Sequence, residues 1–128
     1  MKYILDTHIL LWWLGDHKSL SQKHRLIIAN PKNIVFVSAV SIWEIEIKRG
    51  LGKISAPFID SSIIAESQFL ELPITANHAL YLKNLPNYHN DPFDRLLICQ
   101  SKVEKAILLT EDEDIKKYEI IDDNGLLK

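Results

Sequence analysis

The sequence lacks a second cysteine, an apolar run long enough to cross a membrane, an excess of positive charge and any internal repeat. Cys99 is the single thiol. No intramolecular disulfide can form, and no Cys-x-x-Cys pair offers a zinc or redox site; a small buried side chain is expected there. The first apolar run, Tyr3-Ile4-Leu5, is cut by Asp6, and Ile9 to Leu14 is too short for a signal peptide's apolar region or a membrane span. A soluble, cytoplasmic protein is expected. Lysine and arginine number 15 against 17 aspartates and glutamates, a net charge of -2. That excludes a protein that coats nucleic acid through bulk charge, though not an enzyme that touches a few phosphates with a local basic patch.

What is present is globular: 47% hydrophobic and 25% charged residues in a chain of 128, enough for one domain with a real core. Short apolar runs alternate with helical patterns. Residues 3–5, 34–37, 69–72 and 106–109 read as strands, and Glu119-Ile120-Ile121 as a weak last one. Helices are expected over 7–14, 21–29, 39–49, from Pro57 to about Ser67, over 76–83 and over 92–105, with 85–90 a polar loop. Gly15, Asn30-Pro31 and Gly50 read as stops, and Ser38 and Asp91 as caps. This alternation, with continuous apolar strands, predicts an α/β fold whose mainly parallel sheet is covered on both faces. Ligands of such sheets bind beyond the carboxyl ends of the strands. Asp6 and Thr110 fall at two such ends.

Several acids stand beside apolar residues. Asp6 separates a strand from a helix that is oily almost all round, so it is either a helix cap or part of a site. At about 100° per residue, Val40, Trp43, Ile47 and Leu51 share a stripe of the third helix, and Glu44 lies on its edge while Glu46 points away. Glu44 is then either aimed at the core side or paired on the surface with Lys48, a contact worth about 0.2–0.5 kcal/mol. In HNDPFDRLLICQS, Asp91 before Pro92 is a cap. Asp94 either reaches back as in a capping box or borders the apolar face of Leu97 and Ile98. The segment ILLTEDEDIKKY places four acids in four successive residues after a strand. Carboxylates gathered without histidine or cysteine suit a hard cation, Mg²⁺ or Mn²⁺. The five histidines are scattered without zinc-like spacing.

Together, YILDTHILLWWL, SAVSIWEIEIKRGLGKI, HNDPFDRLLICQS and ILLTEDE resemble the PIN domain, and more closely the VapC toxins of VapBC toxin–antitoxin pairs. The resemblance spans nearly the whole chain. It implies a single three-layer PIN-like domain over 1–128, with a twisted, mainly parallel sheet of four to five strands flanked by helices. It also implies a Mg²⁺- or Mn²⁺-dependent endoribonuclease that cuts tRNA or ribosomal RNA, forms a homodimer and is silenced by a VapB-like antitoxin. By motif, the catalytic and metal-holding acids fall on Asp6, Glu44, Asp94 and Asp112. Relatives often carry a basic residue where Glu111 stands, and Glu111, Glu113 and Asp114 leave the fourth assignment open. The relatives' AQA reads CQS here, which touches packing rather than chemistry. Thr7 and Thr110 are candidates for orienting hydroxyls.

Lys48, Arg49 and Lys53 either hold RNA phosphates or solvate a helix end, where cations favour the dipole. Trp12 and Trp13 point about 100° apart on a helix, so core packing or a subunit interface is expected rather than a base-stacking platform. Ile42 and Ile45 lie off the apolar stripe, which suggests a second apolar face for a dimer or an antitoxin. Two other readings compete. A receiver-type signalling domain also carries an acidic magnesium site, but its third strand would end in aspartate, and FLELP does not. A catalytically inactive PIN-like binding or scaffold module needs none of the four acids, and all four are filled.

Overall fold

A computed structural model of the chain describes residues 1–120. The strands β1 (Lys2–Leu5), β2 (Ile34–Ser38), β3 (Leu70–Leu72) and β4 (Ile107–Leu109) form one sheet in the order β3-β2-β1-β4. Every pairing is parallel, with Tyr3 between Val35 and Ile107. Around the sheet run α1 (Thr7–Leu14), α2 (Gln22–Ala29), α3 (Ala39–Gly50), α4 (Ser61–Glu66), α5 (Ala76–Leu80), α6 (Pro92–Glu104) and α7 (Glu113–Lys116). This is the α/β class expected from the alternation, with four strands among the described residues. No described helix is long and apolar enough to cross a membrane.

Successive strand residues face opposite sides, so each strand feeds two cores. Ile4 and Leu108 pack with Leu97, Ile98 and Tyr118 on one face, while Leu5, Val35, Val37 and Leu109 pack with Ile9 and Ile45 on the other. Each large apolar side chain buried this way contributes about 1.5–3 kcal/mol. Cys99 is fully buried in the first core, which pushes its thiol up to about 11. The chain passes from β1 to β2 and β3 on one side, and β4 joins β1 on the other. A crevice therefore opens where these directions diverge, beyond the carboxyl ends of β1 and β4.

Two expectations are corrected here. Glu119 and Ile120 do not form a strand: they belong to a 3-10 turn, Lys117–Ile120, that continues α7, while Ile121 lies outside the described residues. Asp112 caps α7 by accepting from the Asp114 N–H, which sends the chain into helical turns at this point. The buried stripe of α3 is also rotated from the expected one. Val40 is buried, but Trp43 and Leu51 are 56% and 64% exposed. Ser41, Glu44 and Ile45 are buried beside Val40. Two of these four are polar, so hydrophobicity alone does not mark the inner face.

Ile45 is consequently a core residue, and only Ile42 serves the second apolar face. Ile42 lines a groove of about 660 Å³ with Trp43, Ile59, Ile64 and Leu72. Ile45→Ser is expected to cost about 2–4 kcal/mol of folding stability, through a cavity and a buried hydroxyl. Ile42→Ser should shift it by less than about 1 kcal/mol. Denaturant melts of the two variants check this difference; equal losses would show that the two isoleucines are not divided between core and groove.

Candidate active site

Asp6 answers its sequence puzzle twice over. It leaves β1 and caps α1, its Oδ1 accepting from the Ile9 N–H at 2.8 Å. Its Oδ2 accepts from the Thr110 hydroxyl at 2.5 Å. The Thr110 oxygen in turn accepts from the Asp112 N–H at 3.0 Å. One hydroxyl thus ties the acid after β1 to the segment after β4. Asp6 is 2% exposed. Burial raises its carboxyl above the ordinary carboxylate range, against the bonds from Thr110 and Ile9 and the nearby His8, and the charge of Asp112 adds to the rise. His8 itself is exposed, with its ring 6.0 Å from that of Trp12.

Glu44 reaches the same region from α3 and is 3% exposed. The Thr7 hydroxyl donates to Oε1 at 2.6 Å and lies 3.1 Å from the Ser41 hydroxyl. Lys48 donates to Oε2 at 2.5 Å. The Glu44–Lys48 pair expected from the spacing therefore exists, but its carboxylate is buried rather than on the surface. That bond to Glu44 raises the Lys48 ammonium, with further help from the charges of Asp91 and Asp94.

Asp91 caps α6, its Oδ1 accepting from the N–H groups of Phe93 and Asp94. Asp94 follows one turn in, with Oδ2 3.4 Å from His89 Nε2. Its carboxyl is pushed up to about 8, first by burial and then by the charges of Asp91, Asp112, Glu44 and Asp6. Acids from four separate segments thus act on one carboxyl. In the TEDED segment, Glu111 lies 3.2 Å from His24 and 3.5 Å from Lys116, Glu113 pairs with Lys116 and Asp114 with Lys117. Asp112 is the member of that segment whose charge reaches both Asp6 and Asp94.

A hard divalent cation suits this donor set: the carboxylates are all oxygen ligands, and their charges raise one another's proton affinity. Among the described residues, no group of three or more His, Cys, Asp and Glu side chains is gathered closely enough to hold an ion in the present arrangement. Side-chain rotation about the capped backbone is what binding would require.

The basic candidates divide. Lys48 lies inside the acidic cluster. Arg49 donates to the carbonyls of Ala56 and Pro57 and pairs with Glu46, tying down the loop after α3. Lys53 is exposed. Trp12 stacks with His17 at 6.1 Å, and Trp13 meets Phe69 at 6.2 Å. Both tryptophans pack against the second core, the first of the two roles expected for them. Sequence reasoning missed Ser41, His89 and Tyr118. Ser41 meets Thr7, and His89 meets Tyr118, only across long stretches of chain, so no local spacing announces those contacts.

The PIN domain family matches this chain over residues 3–121. No curated protein matches it in sequence. Among solved structures, VapBC2 from Rickettsia felis, crystallised bound to a DNA fragment from the promoter, superposes with a TM-score of 0.63 at 19% identity. That match covers 100% of this chain and 98% of the other.

Proposed function

The chain belongs to the PIN domain family, and from that premise we propose that it is a Mg²⁺- or Mn²⁺-dependent endoribonuclease, the VapC-like toxin of a VapBC pair. The observation that supports this best is geometric: two acids are buried, Asp6 at 2% and Glu44 at 3% exposure, and the Thr110 hydroxyl ties Asp6 to the segment of Asp112 at the crevice beyond β1 and β4. Asp6, Glu44, Asp94 and Asp112 are the residues that would hold the ion. Such an ion supplies Lewis acidity and positive charge where a phosphodiester gains negative charge on hydrolysis. The chain's own groups do the rest. Thr110 orients Asp6, and Thr7 orients Glu44, each by a charge-assisted hydrogen bond. An unligated carboxylate of the cluster accepts the proton of the attacking water.

The fold shared with VapBC2 supports a VapB-like antitoxin as partner, with the groove beside Ile42 as a surface it can use. The reading further includes a homodimer, a cytoplasmic location, and tRNA or ribosomal RNA as substrate. The test is incubation of total cellular RNA with purified protein and Mg²⁺, beside the Asp6→Asn variant. Discrete fragments from the wild type alone are expected. Identical RNA profiles in the two samples would leave a binding module built on a PIN fold.

Lys48 allows a finer check. Its ammonium already neutralises one oxygen of Glu44, so it competes with a divalent ion for the same field. At an effective dielectric near 20, unit charges about 5 Å apart interact by about 3 kcal/mol before screening. Lys48→Met is therefore expected to tighten Mn²⁺ binding about tenfold, read by titration calorimetry. If Lys48 also contacts an RNA phosphate, cleavage falls while ion affinity rises. Unchanged Mn²⁺ affinity would remove Lys48 from the ion's surroundings.

A further inference from the structure

Behind Asp94 lies a chain of hydrogen bonds that the reading above does not use. His89 sits in the loop before α6, its Nε2 facing Asp94 Oδ2 and its Nδ1 2.8 Å from the Tyr118 hydroxyl. Arg95 donates from Nη1 to that same hydroxyl at 2.9 Å, and to the carbonyls of Pro86 and His89 at 2.9 and 3.3 Å. Tyr118 is 2% exposed, and the side chains of His89 and Asp94 are 11% and 16% exposed. Water therefore competes little for these bonds.

The donors and acceptors favour one direction. A guanidinium can only donate, so the Tyr118 oxygen accepts from Arg95, and donation of its single proton to His89 Nδ1 is the arrangement that gives that proton an acceptor. A ring nitrogen that accepts carries no proton. In the neutral imidazole the proton is then on Nε2, the nitrogen that faces Asp94. In this arrangement Arg95 biases, two groups away, which histidine tautomer meets the carboxylate. Partners of this kind behind a metal ligand typically change metal affinity by about 10–100-fold when removed.

We propose that Arg95, Tyr118 and His89 form a one-way hydrogen-bond relay that fixes the His89 tautomer and holds the Asp94 carboxylate in place for the ion. His89 and Tyr118 are positioning residues of the acidic site. The metal-holding half of this inference rests on the reading of Asp94 given above; the tautomer half does not.

The protein is examined first without metal, by nitrogen-15 NMR of the histidine rings above about pH 8, where the rings are neutral and Asp94 is ionised. His89 is expected to show a protonated Nε2 and a bare Nδ1. Tyr118→Phe keeps the ring that meets Tyr88 and His89 edge to face, but removes the hydroxyl. It is expected to mix the two tautomers and to weaken Mn²⁺ binding about tenfold. His89→Ala should weaken Mn²⁺ binding by about 10–100-fold, with His89→Gln, which restores a side-chain N–H, recovering part of the loss. These His89 variants also serve if Tyr118→Phe does not fold. A wild-type ring protonated on Nδ1, or a Tyr118→Phe variant with unchanged tautomer and Mn²⁺ affinity, overturns the relay. Failure of the metal reading shows separately, as wild-type protein with no Mn²⁺ affinity, and the tautomer then decides the relay by itself.

Discussion

Asp6→Asn is expected to lower RNA cleavage by more than about 100-fold, because a group that holds the ion directly should matter more than the outer-shell partners that already reach that loss. The fold should survive. Asparagine is as good a helix cap as aspartate, and it can still accept from the Ile9 N–H that Asp6 engages at 2.8 Å. In metal-free buffer the variant should melt at a higher temperature than the wild type. Burial raises the Asp6 carboxyl, which means that the charged form is disfavoured by folding, and the neutral amide escapes that penalty. Lost cleavage with a raised melting temperature is the pattern of a site that is maintained against stability. Cleavage within a few-fold of wild type would remove Asp6 from the chemistry.

Asp94 should make both ion binding and stability depend on pH. Its carboxyl is pushed up to about 8 in the folded chain, from an ordinary value of 3.8. The proton is held more tightly folded than unfolded, so the stabilisation is fully present below about pH 4 and is lost as pH rises toward about 8. For this group taken alone, melting temperatures in chelator should decline across that window. A divalent ion must displace the same proton. Mn²⁺ affinity is therefore expected to rise about tenfold per pH unit and to level off above about pH 8. In Asp94→Asn the slope should flatten and the affinity fall. A wild-type affinity independent of pH between about 6 and 8 would mean that Asp94 is already ionised and does not share the field of its neighbours.

The fold was legible where local chemistry decides it. The cap at Ser38, the Asp91-Pro92 helix start and the β-branched run Ile34–Val37 each act within a few residues, and each falls where expected. The helix ending near Gly50 was less legible. Gly50 remains helical, and the positive φ falls on Gly52. At the end of α6 it is Lys105 that adopts the left-handed conformation, a position with no glycine to announce it. The inward turn of Glu44 was visible by angle, although the stripe that argued for it was misplaced. Asp6, Asp94 and Asp112 could be found because each lies beside a strand end or a helix start. More distant companions could not. Tyr118 meets His89 across 29 residues of sequence, and Ser41 meets Thr7 across 34. Only the closed fold brings such pairs together.

Asp6, Asp91 and Asp112 each cap a helix with a side-chain oxygen, an architectural task that asparagine performs equally well. In the genetic code, aspartate and asparagine codons differ by a single first-position base. At Asp6 and Asp112, one transition therefore silences the proposed chemistry and leaves the shape a partner would recognise. A gene encoding this chain lies one such step from alleles whose products keep the fold and lose the proposed chemistry.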